Sequence, residues 1–396
     1  MTDLQRDHGT RAQLLERAKS VVPVLRDAAP RIEQARELPD DVVAALHSAG
    51  LFRLLLPKSV GGDEIDLRTH AELLEIVATA DASATWCLSQ GAGCAMSAAF
   101  LNNEVARRLF GPSNAVLAWG AGAQGKAVAV DGGYRVTGTW PFNSGCMHAT
   151  LLGAHSRIFE ADGSPRNRAD GRQLDRTLIL PREKATVTDV WHVMGLKGTG
   201  SNTFSVEDLF VPEEETIDRE NLDELSETGP LYLFSASLAY GVGFAALQLG
   251  IARGILDDLQ HLASTKTPRG SGALLRDSSV FQSQLARTEG RYRAARAYLH
   301  MTADEVYRNV AAAGEITLDD RVTMKLATVH TIHEAVEIIT DAYRHAGNDA
   351  IFPDNHFERR LRDAYTASQQ TQARVQNFTT IGRHLLGLEP DTMTFL

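Results

Sequence analysis

The chain has 396 residues, too many for one compact core of ordinary size, so two or three packed domains are expected. Its 43% hydrophobic and 23% charged residues are the balance of an ordinary folded protein, which excludes a disordered chain. A formal charge of −10 would repel phosphate backbones and argues against a nucleic-acid partner.

The N-terminal stretch MTDLQRDHGTRAQLLERAK is charged throughout and has no apolar run of the secretory kind, so the chain reads as cytoplasmic. A helix is expected to open at Asp40 as N-cap, with Val42, Val43 and Leu46 at helical spacing and Gly50 past its end. Pro57 and Gly61-Gly62 interrupt the pattern. Helical periodicity then covers residues 67–80 and 84–100. Two cysteines in this part, Cys87 and Cys94, and a third at Cys146 form no CxxC pair. Three thiols cannot build a disulfide framework, which points to a reducing compartment, and the histidine spacings show no zinc pattern.

Near residue 116 the period changes. Short alternating runs flank Asp131-Gly132-Gly133, a strong hairpin signal. Strand-like runs follow at 151–155, 177–180, 185–190 and 204–211, with a polar loop at 162–175. From Leu231 onward helical periodicity returns, most clearly at 282–307 and 321–345. Residues 228–252 carry no charge, and 231–251 is long enough to cross a bilayer. Its many small and polar residues, among them Ser235, Gly241, Gly243 and Gln248, fit a buried bundle helix better than a membrane span. The predicted domains are helical at 1–115, all-β at 116–225 and helical at 226–396.

Hydrolase and nucleotide motifs are absent: there is no GxSxG, HExxH or P-loop, and no GxGxxG between a strand and a helix. The informative segment is GGYRVTGTWPFNSGCMHA at 132–149. It resembles the middle-domain flavin-binding strand of the acyl-CoA dehydrogenase superfamily. Its SGCxHA form is similar to the oxygenase branch, which includes p-hydroxyphenylacetate and dibenzothiophene monooxygenases. LPKSVGG at 56–62, MGLKGTGSNTFSVEDLFVPEE at 194–214, LRDSSVFQ at 275–282 and AGNDAIFPDNHFERRLRDAYTASQ at 346–369 resemble further family segments in the same order. The resemblance covers nearly the whole chain. It implies an acyl-CoA dehydrogenase-like fold: an N-terminal α-helical domain, a middle β-barrel or sandwich, and a C-terminal four-helix bundle. It also implies a homotetramer, which the uncharged 231–251 run and the apolar tail at 393–396 fit.

A flavin needs a flat slot, donors around its ring and a shield from water. Asn143-Ser144-Gly145 offers two short polar side chains and an open backbone. Ser144 is thus a candidate partner for flavin N5 or a C4a-peroxide, or it merely satisfies a strand end. Trp140 and Phe142 on the same strand, and Trp191, are candidate walls of the ring, or core filler. Gly198, Thr199 and Ser201 could present amides and hydroxyls to the other ring edge, or form an ordinary turn. Arg276 and Gln282 lie where the family supplies flavin-phosphate contacts across a subunit boundary. His148 could move a proton near neutral pH, or sit satisfied in the core.

An acyl-CoA dehydrogenase needs a carboxylate base, which in many members lies eight residues before the arginine of RDA. Counting back from Arg362 gives Asp354, one methylene shorter than the usual Glu. The YEGTSQIQR segment that holds FAD in dehydrogenases reads YTASQQTQ here. Both departures favour the oxygenase reading over acyl-CoA oxidation with bound FAD and Asp354 as base. Many oxygenases carry a histidine where this chain has Gln370, and glutamine cannot act as a base. Either a substrate needing no phenol deprotonation is therefore expected, or His148 takes the missing histidine's role. In the expected reaction a separate NAD(P)H-dependent reductase supplies reduced FMN or FAD. Oxygen adds to give a C4a-hydroperoxyflavin, and a small aromatic or heteroatom-containing molecule is oxygenated. A flavin-free assembly protein is a third reading, which the retained Asn143-Ser144 argues against.

Overall fold

The computed structural model describes residues 9–392. The first eight residues and the Met393–Leu396 tail, to which oligomer contacts were ascribed above, lie outside the described residues.

Among the described residues, five α-helices precede the strands. Helix α1 (Arg11–Ala35) opens with a capping box between Thr10 and Gln13. Helix α2 (Asp40–Ser48) begins one residue earlier than expected: Pro39 is its N-cap, and Asp40 and Asp41 instead occupy the first turn, where acids favour the helix dipole. Helices α3 (Leu67–Ala78) and α4 (Ala82–Ala95) are capped by Asp66 and Asp81, whose side chains accept from the amides of Thr69 and Ala84 at 2.8 Å. The helix expected over 84–100 is not continuous, because α4 tightens into a 3₁₀ segment at Met96–Phe100. Helix α5 (Asn103–Phe110) closes this part.

The strands are β1 (Leu117–Trp119), β2 (Gly125–Val130), β3 (Gly133–Asn143), β4 (Leu151–Phe159), β5 (Asp175–Pro181), β6 (Thr186–Thr188), β7 (Asn202–Pro212) and β8 (Thr216–Ile217). They form one continuous mixed sheet in the order β6-β7-β3-β2-β4-β5-β8, with β1 paired parallel to β4. The hairpin is where the sequence placed it: Val130 pairs with Gly133 across Asp131-Gly132, and Gly132 takes φ +74°. The β3–β7 pairing carries the feature that shapes the site. Trp140 faces Phe204 and Asn143 faces Asn202, so three steps along β3 match two along β7. The extra residue makes a bulge, and Phe142 accommodates it with φ +58°.

Helices α6 (Ala236–Thr265), α7 (Ser279–Ala313), α8 (Leu318–Ala346), α9 (Phe357–Ala367) and α10 (Gln376–Leu385) follow. Helix α6 is long and apolar enough to cross a membrane, yet nearly all of that apolar stretch is buried inside the protein. It packs against α3, α4, α7, α8 and α9. Glycine makes the closest approach possible: a Cβ at Gly250 would lie 2.4 Å from both Ala78 Cβ and Glu75 O of α3. The uncharged run is thus the shared core of the first and last helical parts. One hydrophobic cluster runs through all three parts of the chain.

Candidate functional site

The bulge sorts the residues of the TWPFNSG segment by face. Trp140 points inward. Its ring is fully buried, stacks on Phe204 at 4.8 Å and donates from Nε1 to His155 O at 2.7 Å. That corrects the expectation that Trp140 touches a cofactor, because no face of it is free. Phe142 is turned outward, 61% exposed, with its ring edge-on to Trp191 at 6.1 Å. Asn143 turns back in and is 0% exposed, yet neither its Oδ1 nor its Nδ2 has a partner. A buried amide with both ends unmet calls for a ligand or water at that spot.

Ser144 follows, and its hydroxyl belongs to a chain of hydrogen bonds. The Trp86 indole N–H of α4 reaches Ser144 Oγ at 3.0 Å. Ser144 Oγ lies 2.7 Å from Ser201 Oγ, which lies 2.7 Å from Thr199 Oγ1, which lies 2.9 Å from Leu196 O. The two ends fix the direction, because an indole N–H only donates and a carbonyl only accepts. Thr199 gives its proton to Leu196 O, Ser201 to Thr199, and Ser144 to Ser201. Ser144 therefore accepts from Trp86, donates inward and keeps one lone pair for whatever lies against it.

The loop carrying Thr199 and Ser201 is held from all three parts of the chain. Gly198 N donates to Ser83 Oγ at 3.2 Å, and Gly145 N donates to Thr199 O at 2.9 Å. Lys197 and Arg362 both pair with Glu33 of α1, at 2.9 and 2.8 Å. Leu196, at φ +51°, donates its amide to Asp363 Oδ1 at 2.6 Å. A Cβ at Gly195 would fall 2.2 Å from Arg362 O, so only glycine lets α9 approach this closely. Trp191 donates from Nε1 to Leu196 O at 3.0 Å, and its amide reaches Asn202 Oδ1 at 3.2 Å.

Burial pushes the Asp363 carboxyl up to about 7; the Leu196 amide opposes this and nearby Asp81 adds to it. A carboxyl raised from its ordinary 3.8 favours the fold fully below that value and loses the advantage as pH rises to about 7. Asp363→Asn keeps an acceptor for Leu196 N and removes the charge. Thermal melts between pH 5 and 8 should show the parent losing stability, by up to roughly 3 kcal/mol, where the variant stays flat. Parallel pH profiles would contradict the assignment.

The remaining expected residues fall elsewhere. His148 is half-buried against Phe52, ring to ring at 5.3 Å, and folds over Gly145, with Nε2 unpartnered. Burial, aided by His47 and Arg182, pushes it down to about 4, so it is neutral near pH 7. Asp354 lies exposed in the turn before α9. Gln370 caps the short turn at Thr371–Ala373, its Oε1 accepting from Gln372 N at 2.6 Å and its Nε2 buried without a partner. Arg276 and Gln282 are both exposed at the start of α7, where Gln282 Nε2 donates to Arg276 O at 2.8 Å; a single chain brings neither to Ser144. The three thiols are free and buried, and burial pushes Cys94 and Cys146 up to about 11, so they stay protonated.

Sequence reasoning missed Trp86, Asp363 and Asn202. Trp86 sits in an apolar helix with the spacing of core filler, and its contact with Ser144 spans 58 residues. Asp363 lay in the quoted RDA motif, but nothing local marks it as buried.

The Acyl-CoA dehydrogenase, N-terminal domain model matches residues 13–112, and the Acyl-CoA dehydrogenase, C-terminal domain model matches 242–374. The indole-3-acetate monooxygenase of Pseudomonas putida is 30% identical over 362 residues, covering 90% of each chain. Among solved structures, XiaF from Streptomyces sp. in complex with FADH2 and glycerol superposes with a TM-score of 0.88 at 28% identity, covering 96% of this chain and 97% of that one. The HsaA monooxygenase from M. tuberculosis superposes with a TM-score of 0.87 at 25% identity, covering 97% and 99%. With its buried α6, its bulged β3 and matches that run nearly end to end, this chain belongs to the acyl-CoA dehydrogenase family, in the branch of flavin-dependent monooxygenase oxygenase components.

Proposed function

We propose that the protein is the oxygenase half of a two-component system. It receives reduced FMN or FAD from a separate NAD(P)H-dependent flavin reductase and uses O2 to oxygenate a small aromatic molecule, working as a cytoplasmic homotetramer. The observation that carries this reading is the direction of the hydroxyl chain. Reduced flavin bears hydrogen on N5 and donates there, whereas oxidised flavin presents a lone pair. The spare lone pair of Ser144 Oγ suits the first and repels the second.

The residues present fit such a ring. Phe142 and Trp191 offer aromatic surface on the outer side of the bulge, and the unmet Asn143 amide offers a donor and an acceptor beside Ser144. Gly198, Thr199 and Ser201 bring backbone and hydroxyls to the same corner. Arg276 and Gln282 would serve the flavin phosphate of a neighbouring subunit. When bound, the reduced flavin supplies the electrons that activate O2 for transfer of one oxygen atom. The chain's own part is to seat the ring, hold N5–H on Ser144 and keep water out with apolar walls.

The indole-3-acetate relative fits a substrate that needs no phenol deprotonation, as Gln370 in place of a histidine implies. The dehydrogenase alternative would need Asp354 at the ring, and nothing in the exposed turn favours it.

Anaerobic titration with reduced and oxidised FMN tests the reading. Reduced flavin should bind at least about tenfold more tightly, the worth of one well-made hydrogen bond set against a repulsive contact. Equal affinity, or tight retention of oxidised FAD that an acyl-CoA bleaches, would remove it.

A further inference from the structure

Beyond the flavin corner, Arg219 is an enclosed cation with no carboxylate partner among the described residues. Arg219 lies in the segment linking β8 to α6, and this linker is tied down where Ser226 N and Oγ donate to Ala99 O at 2.8 and 2.9 Å. The Arg219 side chain runs inward. One N–H reaches Gly93 O of α4 at 3.2 Å, and the guanidinium stands over the Trp119 ring at 5.3 Å. Its other polar neighbour is the Tyr240 hydroxyl, which lies 3.2 Å from Cys94 Sγ. The guanidinium is deeply enclosed by protein. The residue nonetheless keeps some accessible surface.

Among the described residues no carboxylate pairs with Arg219. Its two acidic neighbours are engaged elsewhere: Asp218 with Arg168 at 3.0 Å, and Glu220 with Arg172 at 3.1 Å. A guanidinium has five N–H donors and stays charged in proteins. One carbonyl, one phenol and one ring face leave it short of partners, and an enclosed unpaired cation is costly. A ligand that brought a carboxylate would relieve that cost and could use the two-pronged geometry a guanidinium offers.

A run of stacked aromatic rings connects Arg219 with Ser144. Tyr240 stacks on Phe244 at 5.9 Å, Phe244 stacks on Trp86 at 4.1 Å, and Trp86 donates to Ser144. Trp86 and Tyr240 are 8% and 7% exposed, each short of complete burial. We infer that Arg219 is the anion anchor of the substrate site, so that the substrate is an aromatic ring bearing a carboxylate on a short arm. The ring lies along the Trp86–Phe244–Tyr240 wall toward Ser144, and the carboxylate meets Arg219 beside Trp119. This deepens the oxygenase reading and rests on it for the direction in which the ring points. The anion site itself stands on Arg219 alone.

The test compares two probes of nearly equal shape, indole-3-acetate and indole-3-acetamide, by calorimetric titration of the full-length protein, with and without reduced FMN under anaerobic conditions. The acid should bind at least about tenfold more tightly than the amide, a charge-assisted hydrogen bond set against a neutral one. Arg219→Gln should abolish the preference, and Arg219→Lys, which keeps the charge without the fork, should retain part of it. The comparison in the unmodified protein needs no variant, so misfolding cannot mask the answer. Equal affinity for acid and amide, or a preference that survives Arg219→Gln, overturns the inference. If reduced FMN fails to bind while the acid preference holds, the flavin reading falls and the anion site stands. If reduced FMN binds and neither probe does, the flavin reading stands and this inference falls.

Discussion

Ser201→Ala is expected to erase most of the protein's discrimination between reduced and oxidised flavin, while Ser144→Ala weakens the reduced form. In the parent, the Ser144 proton is committed to Ser201 because Thr199 passes its own proton to Leu196 O and must accept from Ser201. Removing the Ser201 hydroxyl frees the Ser144 O–H to turn outward, where it can donate to the N5 lone pair of oxidised flavin. A preference of tenfold or more should then fall to about twofold, mainly through tighter binding of the oxidised form. Ser144→Ala removes the acceptor altogether and leaves the Trp86 N–H buried without a partner. It should cost about tenfold in affinity for reduced FMN and at least as much in the fraction of flavin electrons that reach product. Trp86→Phe keeps the stacking on Phe244 but deletes the donor. The double variant of Trp86 and Ser144 should lose less than the sum of the two singles, because both act through one oxygen. Anaerobic titrations with both flavin states supply every number. An unchanged ratio in Ser201→Ala would show that the chain does not set the direction of the Ser144 proton.

The same bulge explains what the sequence could and could not show. Strict alternation along β3 would put residues 140 and 142 on one face. One inserted residue breaks the alternation, burying Trp140 and exposing Phe142. That register is set by pairing with β7, some 60 residues downstream, and leaves no local trace. The Asp131-Gly132 hairpin was legible because a two-residue turn demands particular backbone angles from particular residues. The α6 core helix was legible because a run without charge has few places to go. Asp354 was reached by counting along a motif, and counting does not report that the intervening segment is an exposed turn. Arg219 carried no signal at all: among 40 basic residues only its enclosure, with its neighbouring acids engaged elsewhere, sets it apart.

The second large effect concerns the scaffold. Glu75→Ala should destabilise the protein by roughly 3–5 kcal/mol, the scale of breaking a buried charged cluster. Glu75 sits on α3, nearly buried, and accepts from three side chains of α7 spaced four residues apart: Tyr292 OH at 2.6 Å, Arg296 Nε at 2.6 Å and His300 Nε2 at 2.9 Å. Four-residue spacing lays those donors along one helix face, so a single carboxylate ties two helices together. Tyr292 and His300 are both 5% exposed and would be left without an acceptor. Arg296 is 43% exposed along its side chain, so water compensates it and its share is smaller. Burial alone would raise the Glu75 carboxyl, but the His300, Arg296 and Tyr292 hydrogen bonds outweigh it and hold the group below the ordinary 4.5. A depressed carboxyl contributes its stability above the unfolded value and loses it as pH falls through the folded one. Urea unfolding at pH 7 should therefore separate parent and Glu75→Gln clearly, and the two curves should converge as the solution is taken well below pH 4.5. A gap that persists in acid would mean the charge is not what holds α3 to α7. Because Glu75 touches none of the Trp86–Ser144–Ser201 chain, Glu75→Gln should leave the ratio of reduced to oxidised flavin affinity as it was. Stability would then change while cofactor choice does not, which separates the clamp between the helices from the hydroxyl that faces the ring.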